Sequence, residues 1–143
     1  MQALTAEQYA ELRRLAHSWE RRYLRKAKDM PGYNPRLGVD ALCFSSVSLD
    51  ASDDYLLGAL ITPLSLSLVM VPAAGDGECP ASGAVRRVHL PSGEYPLTPL
   101  ALDGEDWIWR CELLDDLSDV DSLQQGSRLA QRLMTSVMTA PSG

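Results

Sequence analysis

The sequence predicts an α+β fold: a mostly antiparallel sheet flanked by an N-terminal and a C-terminal helix, with both helices expected on one face of the sheet. Three observations predict it. Apolar residues recur at three- and four-residue steps near both ends of the chain. Between those ends they alternate with polar residues or run unbroken for a few positions. Turn residues then punctuate that middle part at short intervals, which suits strands joined by hairpins.

The elements follow in order. Thr5 and Gln8 have the spacing of a capping box, and Tyr9, Leu12, Ala16, Trp19 and Tyr23 then draw one apolar stripe. Met30-Pro31-Gly32 ends this first helix. Trp19 and Tyr23 read as core contacts and His17 as a surface residue. From Leu37 to Leu49 the odd positions are mostly apolar, which predicts a half-buried strand with room for a bulge. Asp50-Ala51-Ser52-Asp53-Asp54 is a turn cluster, and Tyr55–Ile61 returns as the second strand. Pro63 lacks an amide hydrogen, so the apolar run from Gly58 to Pro72 is read as two strands broken at Thr62-Pro63, the later one being Leu64–Val71.

Residues 72–84 hold Gly75, Gly77, Pro80 and Gly83 and read as a loop that exposes Cys79. Val85–Leu90 is a short strand, Pro91-Ser92-Gly93 a turn, and Tyr95–Leu102 an extended segment whose Pro96 and Pro99 place it at a sheet edge. Asp103-Gly104 is the strongest hairpin signal in the chain. After it Trp107, Trp109, Cys111 and Leu113 share one large apolar face, which predicts packing against a helix. The second helix runs from Ser122 to Met138. Its apolar face is Leu123, Ala130, Leu133, Met134, Val137 and Met138, and Gly126 weakens its first turn.

Length and composition fit one domain over residues 1–143: the 143 residues are 45% hydrophobic, enough for a core and too many for general disorder. No signal peptide or membrane span is read, because charge and proline interrupt every apolar run. A cytoplasmic setting is expected. The three cysteines, Cys43, Cys79 and Cys111, form neither a CxxC pair nor an even disulfide set. Cys43 and Cys111 read as small buried residues.

The net charge of -6 is unevenly spread. Residues 5–28 carry seven basic and three acidic side chains, hence +4, and the remainder carries -10. Asp115, Asp116, Asp119 and Asp121 supply much of that excess. Two readings stand side by side: solvated surfaces that maintain solubility, or an acidic surface that attracts a basic peptide. Overall acidity argues against nucleic acid as a partner. No phosphate-binding loop, dinucleotide fingerprint, zinc motif or nucleophile elbow is present. His17 and His89 are far apart, and no cysteine or serine has an evident base. No catalytic residue, metal ligand or cofactor is therefore expected.

An ordered series of short segments carries more information than any one motif. Pro31-Gly32-Tyr33-Asn34-Pro35-Arg36-Leu37 leads to the first strand. Gly58-Ala59-Leu60-Ile61-Thr62-Pro63 precedes an apolar strand ending at Pro72. Leu90-Pro91-Ser92-Gly93 and Leu102-Asp103-Gly104 follow, then a strand with Cys111 and Leu113-Leu114. In this order and spacing the chain resembles the HybE family of NiFe-hydrogenase assembly chaperones over roughly residues 5–138. Where that family tends toward Ser-Leu-Phe-Ser-Pro-Met after the cysteine strand, this chain has Glu112-Leu113-Leu114-Asp115-Asp116-Leu117.

The resemblance implies a non-enzymatic protein that binds immature large or small hydrogenase subunits, with a twin-arginine signal peptide as one candidate contact. The partner-binding residues expected on that reading are Thr62, Pro63, Leu64 and Leu66 beside the broken strand, Pro91 and Gly93 in the later turn, and Asp115 and Asp116. A groove at Thr62-Pro63 is expected to take an extended segment by strand addition. A small structural or adaptor protein, and an enzyme with an unrecognised site, are the alternatives.

Overall fold

Two helices enclose a sheet from opposite sides, and the pattern of strand residues explains why. A computed structural model describes residues 4–48, 54–72 and 77–141. Helix α1 spans Ala6–Ala27 and helix α2 spans Leu123–Val137. Between them run β1 (Asp40–Ser48), β2 (Asp54–Ile61), β3 (Leu66–Val71), β4 (Arg86–Leu90), β5 (Gly93–Ala101) and β6 (Trp107–Leu114). Every pairing is antiparallel, and the order across the sheet is β1-β2-β3-β6-β5-β4. The expected turn at Asp50–Asp54 falls almost wholly outside the described residues.

Both helices begin as their sequences dictate. Thr5 Oγ1 accepts from the Gln8 amide at 3.1 Å, and Gln8 Oε1 accepts from the Thr5 amide at 2.8 Å, closing the capping box. Ser122 accepts from the Gln125 amide in the same way. The buried stripe of α1 is Leu12, Leu15, Ala16, Ser18, Trp19 and Ala27. Tyr9 lies outside it and is exposed, because the true stripe is centred on Leu15 and Trp19. Leu123 is also exposed, one turn before α2 meets the sheet.

Alternation along the central strands sends side chains to two different cores. Leu57, Ala59 and Ile61 of β2, Leu66, Leu68 and Met70 of β3, and Trp107 and Trp109 of β6 pack with Ala130, Met134 and Val137 of α2. Leu60, Val69 and Ile108 face the other way, onto Leu15, Trp19 and Ala27 of α1. The expected placement of both helices on one face is therefore corrected. A one-sided sheet would leave alternate residues polar, yet Leu66 to Met70 are all buried. Each large apolar side chain so buried contributes roughly 1.5–3 kcal/mol relative to exposure.

The sheet also curls around α2. β2 and β4 are four strand spacings apart, about 19 Å across a flat sheet. Even so, Arg86 Nη2 of β4 donates to Tyr55 Oη of β2 at 3.0 Å, with its guanidinium carbon 4.7 Å from the ring centre. Side chains stand perpendicular to a flat sheet, so only a concave one brings these two together. The β4–β5 turn closes the same face: the Ser92 amide donates to the Val137 carbonyl at 3.1 Å. α2 occupies the concave side and α1 the convex side.

Besides a register shift at Leu113 of β6, opposite Leu66 and Ser67, two irregularities shape the strands. In β1, Leu42 pairs with Ala59 and Ser45 with Leu57, so Cys43 and Phe44 together oppose Gly58. This is the bulge, with Cys43 in the left-handed region at φ 59°. The bulge breaks the alternation, and Cys43 is exposed, contrary to the burial expected of it, while Cys111 is half-buried. Cys79 is exposed as expected. The second irregularity is β5, which changes partner along its length. Gly93–Leu97 pair with β4, and Thr98–Ala101 pair with β6. Each half of β5 thus has one neighbour, which accommodates Pro96 and Pro99: locally they do sit at an edge.

Gly58 is required where it stands. A Cβ there would overlap the Phe44 ring and lie 2.7 Å from Phe44 Cα, which is backbone. In α2, a Cβ at Gly126 would meet side-chain methyls, of Ile61 at 2.8 Å, Leu37 at 3.3 Å and Val120 at 3.7 Å. Gly58→Ala is accordingly expected to destabilise the fold by about 1–3 kcal/mol through overpacking. Gly126→Ala gains up to about 1 kcal/mol of helix propensity against a yielding contact and should be near neutral. Urea unfolding of both variants checks this; equal losses would refute the steric account of Gly58.

Candidate functional site

One buried amide joins three loops at one end of the molecule. Asn34 sits between Pro31-Gly32 and Leu37, in the segment that carries the chain from α1 to β1. Its Nδ2 donates to the carbonyls of Leu117 at 2.9 Å and Val120 at 2.8 Å. Its Oδ1 accepts from the Arg36 amide at 3.0 Å. Its own amide donates to the Pro63 carbonyl at 2.9 Å, and its carbonyl accepts from the Leu37 amide at 3.1 Å. Every polar group of a side chain 4% exposed is thus engaged.

The Thr62–Ser65 segment is a closed hairpin turn. The Thr62 amide donates to the Ser65 carbonyl at 2.9 Å, and Thr62 Oγ1 accepts from the amides of Leu64 and Ser65 at 3.1 Å each. The strands it joins are both interior. Strand addition at the Thr62-Pro63 break is therefore corrected: β2 and β3 have partners on both sides, and the turn amides are taken. Thr62, Pro63 and Leu66 are buried, and Leu64 is the member of that group that reaches a surface.

That surface is a groove of about 290 Å³ on the convex face, where α1 ends. Trp19, Tyr23 and Met30 form one wall, Leu64 and Leu100 the floor, with Lys26, Arg110 and Glu112 at the rim. Met30 is half-exposed, and Arg110 Nη1 lies 3.5 Å from Glu112 Oε2. α1 is held over the sheet by polar contacts to the β5–β6 turn. The Ser18 hydroxyl accepts from the Asp103 amide at 2.9 Å, and Arg21 and Arg14 pair with Asp103 and Asp106. Hydrogen bonds that Arg14 donates to Glu11, and then to Asp106, push its pKa above the ordinary value.

Beside the groove lies the acidic loop between β6 and α2. Leu117 and Val120 point inward, and Asp115, Asp116, Asp119 and Asp121 are exposed. The Ser118 amide donates to Asp116 Oδ1 at 2.9 Å and holds the Asp116 pKa below the usual carboxylate range. The loop therefore keeps this charge at all but strongly acid pH. Asn34 binds the Leu117 and Pro63 carbonyls together, so the structure brings Leu64 and the acidic loop side by side. Pro91 and Gly93 are exposed at the other end of α2, whose 15 residues span about 22 Å. They belong to a different region.

A second hollow of about 310 Å³ lies between the β1 bulge and α2, lined by Cys43, Phe44, Leu57, Met134 and Met138. The thiols of Cys43 and Cys111 are both pushed up, chiefly by partial desolvation, which disfavours the nucleophilic thiolate. Each histidine is exposed beside a glutamate rather than a cysteine: His17 Nδ1 is 3.0 Å from Glu20, and His89 Nε2 is 3.8 Å from Glu94. Among the described residues no group of three His, Cys, Asp or Glu side chains is placed to hold a metal. No described helix is long and apolar enough to cross a membrane.

Known proteins share this organisation. Residues 10–142 match the protein family described as NiFe-hydrogenase assembly, chaperone, HybE. A hydrogenase expression/formation protein, HoxT of Azotobacter vinelandii, is 42% identical over 69 residues, which are 48% of this chain and 42% of that protein. HupJ of Bradyrhizobium diazoefficiens, also described as a hydrogenase expression/formation protein, is 26% identical over 124 residues, 87% of this chain and 69% of that protein. The matched stretch thus spans less than half of HoxT. The solution structure of HybE from Escherichia coli matches 92% of this chain and 77% of its own, at a TM-score of 0.59 and 23% identity, and so shares the fold.

Replacing Asn34 with Ala strands the Val120 carbonyl and removes one of two donors from the Leu117 carbonyl, which keeps the Val120 amide at 3.0 Å. The expected loss is roughly 1–3 kcal/mol, the desolvation cost of one unpaired buried group. Urea unfolding measures it, and a loss under about 1 kcal/mol would mean that the three loops hold together without Asn34.

Proposed function

The chain belongs to the HybE family of NiFe-hydrogenase assembly chaperones, and from that premise we propose that it binds an immature NiFe-hydrogenase subunit during maturation and does so without catalysing a reaction. The single observation that carries this reading is the family match over residues 10–142. The surface supports it. An apolar groove and an acidic loop, fixed side by side through Asn34, suit a polypeptide with apolar and basic residues. On this reading the client is the large or small subunit precursor, met in the cytoplasm, and a twin-arginine signal peptide is a segment of suitable charge. No cofactor or nucleic acid takes part.

The acidic loop acts mainly on encounter. Exposed carboxylates raise the rate at which a basic segment arrives, and salt screens that effect beyond about 8 Å at physiological ionic strength. Leu64, in the groove, supplies the apolar contact. Thr62, Pro63 and Leu66 contribute by shaping the turn that presents it, and Pro91 and Gly93 would meet only a second region of a large client.

Two measurements test the proposal. The tagged protein, expressed in its native host under hydrogenase-inducing conditions, is expected to co-purify with a hydrogenase subunit precursor. Expression of both precursors with recovery of neither, even after gentle crosslinking, would overturn the reading. Charge reversal at Asp115 and Asp116 is expected to slow client association about tenfold at low salt and to flatten its salt dependence. An unchanged on-rate would remove the acidic loop from the binding surface.

A further inference from the structure

The ladder between β5 and β6 stops half-way along β6. On its β3 side, β6 is paired regularly as far as Glu112, opposite Ser67, and then, past a bulge at Leu113, at Leu114 opposite Leu66. On its β5 side the last pair is Thr98 with Arg110. β5 then leaves to pair with β4 from Leu97 to Gly93. Among the described residues, Cys111–Leu114 therefore has one neighbouring strand and one open side. Pro96, which would stand opposite Glu112 if the ladder continued, has no amide to offer.

The open side has a defined polarity. The Thr98 hydroxyl donates to the Arg110 carbonyl at 3.4 Å, so Arg110 turns its backbone groups toward β5. Backbone direction alternates along an antiparallel strand, and Glu112 therefore turns its amide and carbonyl to the same, unoccupied side. The Arg110 and Glu112 side chains line the apolar groove with Leu64, Leu100 and Met30. Immediately after Leu114 come the exposed Asp115 and Asp116. Free backbone, apolar groove and negative charge thus follow one another along one edge.

We propose that the open edge of β6 over Cys111–Leu114 captures an extended segment of a partner polypeptide by strand addition, antiparallel to β6, with basic residues at the N-terminal end of that segment and apolar residues after them. Each part follows from the edge. Every pairing in the sheet is antiparallel, and a strand added in the place β5 vacates continues that pattern. Its N-terminal end then lies at Asp115 and Asp116, which favour positive charge. Its following residues pass Glu112 and send alternate side chains into the groove. Lys26 and Arg110 at the groove rim oppose a second basic cluster there, so the order basic-then-apolar is selected over its reverse. About six residues cover the edge at 3.4 Å each.

This inference deepens the proposed chaperone reading by naming where, and in which direction, a client segment lies. Three synthetic ten-residue peptides test it with the full chain. The first has arginines followed by apolar residues, the second reverses that order at identical composition, and the third is the first with alternate backbone amides methylated. NMR titration is expected to shift the Glu112 amide and its neighbours with the first peptide. The second should bind at least tenfold more weakly, and the third should lose binding in the methylation phase that faces β6. Equal affinity for both orders, indifference to methylation in either phase, or shifts confined to β1 would overturn the proposal. So would a concentration-dependent dimer seen by light scattering with the β6 edge protected, because a second copy would then be the occupant. If the peptide binds as described and no hydrogenase subunit co-purifies, the site stands and the chaperone reading falls. If the subunit co-purifies and the peptides fail, the site falls alone.

Discussion

Much of the molecule depends on the five hydrogen bonds of Asn34. They connect the α1–β1 segment, the β2–β3 turn and the β6–α2 loop, three stretches that are remote in sequence. Without them the Val120 carbonyl would face a dry interior, and the loop that carries Leu117, almost wholly buried, would lose its tie to the α1–β1 segment. The same contacts decide where α2 begins, because Val120 is two residues from its cap. They also decide where Leu64 stands relative to Asp115 and Asp116. Fold and candidate binding surface rest on one buried amide, and a change there is felt in both.

A sheet buried on both faces imposes a second constraint. β3 is nearly continuous in apolar side chains because it has a helix above and another below. That pattern in Leu66–Val71 is legible in the sequence, yet a short apolar run tells nothing of which helix covers which face. The strand order was legible only in part. Hairpins follow from Asp103-Gly104 and Pro91-Ser92-Gly93, and the bulge in β1 was foreseen from the length of its alternating run. The pairing of β3 with β6 joins residues some forty positions apart, and local chemistry encodes neither it nor the point along β5 where the strand changes partner.

The candidate surface was less legible than the fold, for a related reason. Asp115, Asp116 and Leu64 were recognised as candidates, but Tyr23, Met30, Leu100 and Arg110 come together with Leu64 only when α1 lies across the convex face. Asn34 gave one signal, a polar residue set between Pro31-Gly32 and Pro35, where a solvent-exposed turn would have the same composition. Thr62 and Pro63 misled in the opposite direction. A proline in an apolar run suggests an edge, and here it marks a turn whose amides close on themselves. Cys43 was misplaced because a bulge reverses which face each later residue occupies.

The concave sheet has a consequence for how the chain reaches this state. α2 follows every strand in sequence, yet Ala130, Met134 and Val137 fill the hollow that all the central strands share. The first three strands can pair early, but β3 waits for β6, and the concave apolar face waits for α2. Few of the decisive contacts are local, so folding is expected to be slow for this size and to expose Leu57, Leu68 and Met70 until late. A protein proposed to receive immature polypeptides is itself, for a time after synthesis, an unfinished one with an open apolar trough.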